Sequence, residues 1–307
     1  MKATDAVGRG VASARAALAG NPSDGYGGAV IAVTLDAFGA RATARAAAGS
    51  AARPDSELVG ATIARFARDH RPEAVEGTVE WETSVPRGVG LGGSSAIVIA
   101  TLRALCELHG VTLDRAQLAT LALAVEREEL GIAAGLQDRV AQSYGGLTFM
   151  DFGPDGGYEP LDTELLPPLV VAWREDAAAD SGIVHGDLGT RFDAGEEVVR
   201  HAMTRLAQLA RDARSALVRG DHAAFGACVD ASFDVRREMI DLDERHVAMI
   251  ERARACGASA NYTGSGGAIV AVCRDESHRA DVTAALRELG CGTVATGASG
   301  GAARPGA

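Results

Sequence analysis

The stretch Pro86-Arg87-Gly88-Val89-Gly90-Leu91-Gly92-Gly93-Ser94-Ser95-Ala96 separates two segments of different periodicity. Before it, Thr78-Val79-Glu80-Trp81-Glu82-Thr83-Ser84-Val85 alternates, the pattern of a half-buried strand, and Pro86 ends it. After it, an apolar run from Ser95 to about His109 has helical length and stops at Gly110. Glycines let a backbone approach a ligand closely and turn several N–H groups inward together. A helix start adds unsatisfied N–H donors and the positive end of a dipole. Ser94 or Ser95 can cap the helix, and one of them can offer a hydroxyl to Mg²⁺. A plain strand-to-helix turn with a serine cap is the alternative, and it is the better reading of a generic Gly-x-Gly loop. Four glycines and two serines behind Pro86 favour a polyphosphate cradle instead.

The loop is not a Walker A motif, because no lysine follows its glycines, and it lacks the third glycine of a dinucleotide fingerprint. Lys2 is the only lysine of the chain. A lysine contact to phosphate, or a Schiff base, would have to come from the N-terminal tail. The net charge of −11 argues against a nucleic-acid groove and against an anionic membrane surface. The five cysteines (Cys106, Cys228, Cys256, Cys273 and Cys291) form no Cys-x-x-Cys pair and suit free thiols in a reducing cytosol. No apolar run reaches about 18 residues, and Arg9 and Arg15 interrupt any leader-like run. A cytoplasmic protein with no nucleic-acid or membrane partner is expected, as a monomer or homodimer.

At roughly 150 residues per domain, 307 residues suggest two domains. The pattern predicts a strand pair over 28–48 and helices over 56–70, 95–109, 115–130 and 136–143. A strand follows at 147–152. The Gly/Pro/Asp-rich stretch 153–168 marks the boundary, giving domains 1–160 and 161–307. The second half reads as a strand at 169–173, helices near 195–219, 222–240, 243–255 and 276–289, and strands at 268–273 and 292–296. Residues 297–307 read as a disordered tail. Trp81 and Trp173 are expected in the core.

The central stretch resembles the Pro-x-x-x-Gly-Leu-Gly-Gly-Ser-Ser-Ala motif of the GHMP kinases. Two further segments resemble that family's signatures, in the same order. One is Arg15-Ala16-Ala17-Leu18-Ala19-Gly20-Asn21-Pro22-Ser23-Asp24, and the other is Tyr262-Thr263-Gly264-Ser265-Gly266-Gly267-Ala268. Within the family, Gly20 to Asp24, the block Glu129 to Gln142 with Tyr144 to Leu147, and Ser181 to His185 are similar to glucuronokinases. The resemblance implies an α+β fold of two domains, a ribosomal-protein-S5-like N-terminal half and a ferredoxin-like C-terminal half. ATP and substrate would meet between them, with Mg²⁺.

The resemblance also implies roles. Gly88, Gly90, Leu91, Gly92, Gly93, Ser94 and Ser95 would bind the nucleotide. Asp138 would be the catalytic aspartate, able to accept or orient the proton of the acceptor hydroxyl. A surface pair with Arg139 is its plain alternative. Glu126 would join Ser95 at the metal, with Glu128 as a competitor, unless Glu126, Glu128 and Glu129 form a solvated acidic face. Arg15 stands where many relatives place a lysine; its fixed charge favours an electrostatic role beside Asp138, against a solvated arginine. Asn21, Ser23, Asp24, Tyr26, Arg139, His185 and Gly266 would touch substrate, although Asn, Pro, Ser, Asp and Gly are also common turn formers. The substrate implied is a sugar or sugar acid, best glucuronate phosphorylated at its anomeric hydroxyl. Its carboxylate would be read by Arg139, Arg236 or Arg237. Another family substrate, such as mevalonate, homoserine or a neutral sugar, or a catalytically inactive binding protein, are the alternatives.

Overall fold

The computed structural model describes residues 6–46, 55–70, 77–177 and 188–296. Strand β1 (Val7–Ala19) pairs antiparallel with the 18-residue strand β2 (Ala29–Ala46). The far side of β2 takes two partners: β3 (Gly77–Thr83) on its C-terminal half, and β4 (Leu147–Asp151) on its first five residues. Strand β5 (Tyr158–Leu161) completes this five-stranded sheet beside β4.

Helix α1 (Glu57–His70), helix α2 (Gly93–His109) and helix α3 (Arg115–Ala124) bury Phe66, Ile99, Leu102, Leu105, Leu118 and Leu121 against one another and the sheet. Gly10 lets α2 lie against β1, since a Cβ there would come 1.9 Å from the Ala100 carbonyl oxygen. After α3 the chain makes one π turn, Val125–Glu129, before helix α4 (Gln137–Tyr144).

The second sheet is antiparallel, in the order Ser259–Tyr262 (β7), Ala268–Val272 (β8), Leu169–Trp173 (β6) and Gly292–Thr296 (β9). Helices α5 (Glu197–Val218), α6 (His222–Met239), α7 (Glu244–Ala255) and α8 (Glu276–Glu288) accompany it. Asp114, Asp221, Asp243 and Asp275 accept a backbone N–H at the starts of α3, α6, α7 and α8, the expected use of aspartate as an N-cap. The two halves share a core. Leu18, Ile31 and Leu35 of the first sheet lie in one apolar cluster with Val171 and Val270 of the second and Phe225 of α6.

Several expected elements differ. The 28–48 segment is one strand, not a pair. Its pairing with β1 jumps from Ser13–Gly39 to Ala14–Leu35, so Asp36 to Phe38 bulge out of the ladder, and this irregularity imitates a turn. The helix expected over 115–130 ends at Ala124 and gives way to the π turn. Strands β1, β5 and β7 were not predicted as strands. The second half of β1 is almost fully buried and rich in alanine, so it lacks the alternation by which a strand is recognised. Trp173 packs edge-on to Phe38 against the shared core. The expected tail 297–307 lies outside the described residues. No helix among the described residues is long and apolar enough to cross a membrane.

Candidate active site

The glycine loop runs from β3 to the first turn of α2. Gly92 takes the N-cap position with φ +73°, and no side chain caps the helix. Neither serine is therefore a cap, contrary to the expectation. Ser95 is fully buried and its hydroxyl donates to the Gly92 carbonyl at 3.1 Å, while Ser94 is exposed beside it. Gly90, at φ +73°, is required by a close approach: a Cβ would lie 2.8 Å from the Gly266 carbonyl oxygen. The loop at 264–267 thus leans directly on the first glycine loop.

Arg15 joins the two loops. It lies in β1, is 4% exposed, and uses its whole guanidinium. Its Nε donates to Asp138 Oδ1 and its Nη2 to Asp138 Oδ2, both at 2.7 Å. Its Nη1 donates to the carbonyls of Gly90 at 2.6 Å and Thr263 at 2.7 Å. The Asp138 pairing is the bidentate fork that fixes a carboxylate in one orientation. Arg15 is not a solvated arginine, and the expected pair of Asp138 with Arg139 is present only as a longer, largely buried contact at 3.7 Å. Asp138 itself sits in the first turn of α4 with its side chain 21% exposed to the cavity.

Arg139 turns the other way. Its Nε donates to Glu126 Oε2 at 2.6 Å, its Nη2 donates to the same oxygen, and its Nη1 donates to the Gly135 carbonyl at 2.8 Å. All three nitrogens are engaged, so Arg139 does not present a free fork to a substrate carboxylate, as had been expected of it. The π turn is what brings Glu126 inward, at 0% exposure. Glu128 and Glu129 stay outside and pair with Arg65 and Arg68; such exposed pairs contribute about 0–1 kcal/mol. The solvated acidic face is therefore confined to those two residues.

Glu126 Oε1 is buried with no hydrogen-bond partner among the described residues. A hard cation such as Mg²⁺ takes one or two carboxylates and completes its octahedron with phosphate oxygens and water. One spare carboxylate oxygen on a cavity that Ser94 also lines fits a metal that arrives with a polyphosphate. No group of three His, Cys, Asp or Glu side chains suited to a metal ion occurs among the described residues, so an all-protein metal centre does not fit.

The short helical turn Ser23–Tyr26 forms the opposite wall. Asn21 donates from Nδ2 to the Tyr262 carbonyl at 3.3 Å, and accepts at Oδ1 from Asn261. Ser23 is fully buried and donates to the Ala29 carbonyl at 2.9 Å, which closes the turn and keeps its hydroxyl out of the cavity. Tyr26 packs on Phe192 with ring centroids 4.5 Å apart. Gly266 stands behind the wall, with His246 3.0 Å from where its Cβ would be; Gly264 and Ser265 face the cavity in its place. His185 lies outside the described residues.

Asp24 has its pKa raised from 3.8 to about 7, by burial first and then by the charge of Asp138; the Gln137 N–H and Arg15 oppose the shift. Its folded pKa exceeds its unfolded value, so the folded state keeps a proton that the unfolded state releases above about pH 4. Asp24 therefore lowers stability progressively from about pH 4 to about pH 7, and the loss is complete above that. Asp24→Asn is expected to raise the melting temperature at pH 8 and to change it little at pH 4. Equal shifts at the two pH values would remove this account.

The site opens on one cavity of about 930 Å³, at the upper end of the range for small-molecule sites. Gly88, Gly90, Leu91, Gly92, Gly93 and Ser94 line it, as do Asn21, Asp24 and Tyr26, together with Asp138 and Glu126. The model of the GHMP kinases N terminal domain matches residues 57–146, and that of the GHMP kinases C terminal matches residues 213–290, together more than half of the chain. The chain belongs to the GHMP kinase family. It is 40% identical to Glucuronokinase 1 of Arabidopsis thaliana over 207 residues, 64% of this chain and 57% of that protein. The chain thus spans a little over half the length of the curated relative it matches. Among solved structures, it is similar to Lactococcus lactis galactokinase complexed with galactose, with TM-score 0.78, 18% identity, and coverage of 96% of this chain and 93% of the other. It is also similar to the mevalonate kinase of L. major in complex with R-mevalonate, with TM-score 0.73, 20% identity, and 93% of each chain covered. These structures establish the two-domain GHMP kinase fold.

The cavity also includes residues beyond those expected from the GHMP kinase motifs. Trp81 borders it while packing against the α1–α2 core, so it is not solely a core residue. Ile132 to Ala134, Phe192 and Asp193 border it as well. Arg87 is exposed at the loop and has no ion-pair partner among the described residues. Arg87 stood inside the quoted stretch; a cation within a glycine loop was the signal.

Proposed function

We propose that the protein is an ATP-dependent kinase that transfers the γ-phosphoryl group to a hydroxyl of a sugar acid, with glucuronate the best candidate. The observation that carries the reading is the Arg15 fork, which fixes Asp138 on the cavity and ties it to both glycine loops. Phosphoryl transfer asks a protein mostly for positioning and charge stabilisation, and this arrangement supplies both.

In this reading the triphosphate lies along the backbone of Gly88 to Ser94, with the start of α2 and the exposed Arg87 adding positive charge. Glu126, through its unpartnered Oε1, and a hydroxyl of Ser94 or Ser95 would hold Mg²⁺. When bound, the metal neutralises phosphate charge. Asp138 orients the acceptor hydroxyl and takes its proton as the new O–P bond forms and the bond to ADP breaks. Arg15 holds that carboxylate in place and puts a permanent positive charge where a lysine would otherwise stand. Asp24 and Tyr26 face the acceptor. The likeness to Arabidopsis Glucuronokinase 1 supports a sugar acid over mevalonate or a neutral sugar. The presence of Asp138, Glu126 and both serines supports an active enzyme over an inactive binding protein.

The test is a set of acceptors under identical ATP and Mg²⁺, comparing glucuronate, glucose and mevalonate, with the product followed by phosphorus NMR. Glucuronate is expected to give the highest kcat/KM and a 1-phosphate product. A higher kcat/KM for glucose or mevalonate would overturn the sugar-acid reading, and no turnover of any acceptor would overturn the kinase reading.

A further inference from the structure

Arg236, on α6, is among the largest fully buried side chains of the protein, at 1% exposure. Its Nε and Nη1 have no hydrogen-bond partner among the described residues. The Tyr262 hydroxyl is also buried without a partner, and the Arg236 guanidinium lies over the Tyr262 ring, 5.1 Å from its centroid. Three donors in one buried place therefore lack an acceptor. Burial pulls the Arg236 pKa down to about 10, and the nearby Asp24 charge opposes this. Asp24 is thus within range of Arg236 electrostatically, yet no hydrogen bond joins them.

Burying an unpaired guanidinium is costly, and one that a native fold keeps calls for a specific explanation, such as a functional role or a partner that arrives from solution. Nε and Nη1 lie on different edges of the guanidinium, so one anion cannot fork across both; a carboxylate on the Nη1–Nη2 edge, within reach of the Tyr262 hydroxyl, would supply acceptors to Nη1 and to that hydroxyl. Asp24 and Asn21 border the cavity; Arg236 and Tyr262 do not line it themselves, but the Tyr262 carbonyl accepts from Asn21 and the Arg236 guanidinium lies over the Tyr262 ring, which puts both directly behind that wall. The other two arginines considered for this role do not fit. Arg139 is fully engaged by Glu126 and Gly135, and Arg237 is exposed on the outer face near Glu251.

We infer that Arg236 and the Tyr262 hydroxyl form a subsite for the carboxylate of the acceptor, and that this subsite sets the preference for a sugar acid over its neutral counterpart. The inference rests on the sugar-acid kinase reading and names the residues behind its specificity. Asp24 would face the sugar hydroxyls while Arg236 takes the carboxylate.

The test compares glucuronate with glucose, which differ at the carbon that carries the carboxylate. In Arg236→Met the ratio of kcat/KM for glucuronate to that for glucose is expected to fall roughly 10²-fold, the scale of losing one partner of a buried charged contact, mainly through KM for glucuronate. Tyr262→Phe should lower the ratio about tenfold. Arg236→Lys keeps the charge without the fork and should fall between wild type and Arg236→Met. A second readout separates binding from structure. Without substrate, Arg236→Met should melt no lower than wild type, because it removes an unpaired buried charge. The rise in melting temperature that glucuronate gives the wild type should disappear. An unchanged preference ratio in both Arg236→Met and Tyr262→Phe, with wild type preferring glucuronate, would overturn the subsite and leave the kinase reading standing. A lower melting temperature with the ratio retained would make Arg236 a structural counter-charge for Asp24. A wild type that prefers glucose would overturn the sugar-acid reading itself, and the subsite with it. Should Arg236→Met fail to fold, Arg236→Lys and Tyr262→Phe decide the matter by the same ratio.

Discussion

Asp138→Asn is expected to lower kcat by roughly 10²-fold or more, the scale for losing a positioned base, with the KM for ATP close to that of wild type. The substitution keeps the shape of the side chain. It removes the charge, and it leaves one of the two Arg15 donors facing an amide nitrogen instead of an oxygen. The glycine loop should stay in place, because Arg15 also donates to Gly90 and Thr263 and does not depend on Asp138 alone. The acceptor hydroxyl loses its proton acceptor, while the nucleotide loses none of its contacts to the loop. Steady-state kinetics with the acceptor and ATP varied separately make the measurement. A near-normal kcat would reduce Asp138 to the counter-ion of Arg15. A large rise in the KM for ATP would mean that Arg15 had moved and carried the loop with it.

How much of this site could be read from the sequence depended on sequence distance. The loop from Gly88 to Ser95 was legible because its cause is local: a strand, a run of glycines and a helix start lie within about two turns of chain. Arg15 and Asp138 were each picked out by family likeness, but their bond spans 123 positions, and nothing local marks it. The alternative pairing of Asp138 with its neighbour Arg139 looked natural in sequence. On α4, however, successive residues point about 100° apart, and here Arg139 reaches Glu126 while Asp138 meets Arg15. The inward turn of Glu126 was hidden for a similar reason. A continuous α-helix through Glu126, Glu128 and Glu129 reads as one charged region, and only the π turn separates the first from the other two. Strand β1 was missed because its buried residues are alanines, which favour helices when judged alone. Its long pairing with β2 and its position under α2 override that preference.

Glu126→Gln is expected to act on both stability and metal dependence, and the two effects can be separated. From sequence alone this substitution would be expected to leave the fold intact. The structure gives Glu126 a second duty, because its Oε2 takes two donors of the buried Arg139. A glutamine is neutral and leaves that guanidinium with Asp138 as its nearest counter-charge, at 3.7 Å from Nη1. Breaking one side of a buried pair costs about 3 kcal/mol or more, so the melting temperature should fall by several degrees. Removing both charges, as in Glu126→Gln with Arg139→Gln, should recover part of that loss, because neither group is then left buried and unpaired. Arg139→Gln alone should be as destabilising as Glu126→Gln alone. The role of Oε1 is tested independently by titrating Mg²⁺ at fixed ATP. If that oxygen is a metal ligand, Glu126→Gln needs more Mg²⁺ for half-maximal rate, and excess Mg²⁺ restores part of the rate. Arg139→Gln, which keeps the carboxylate, should not show the same shift. An unchanged Mg²⁺ dependence in a folded Glu126→Gln protein would leave Glu126 as the partner of Arg139 alone. The metal would then depend on the loop serines and the phosphates.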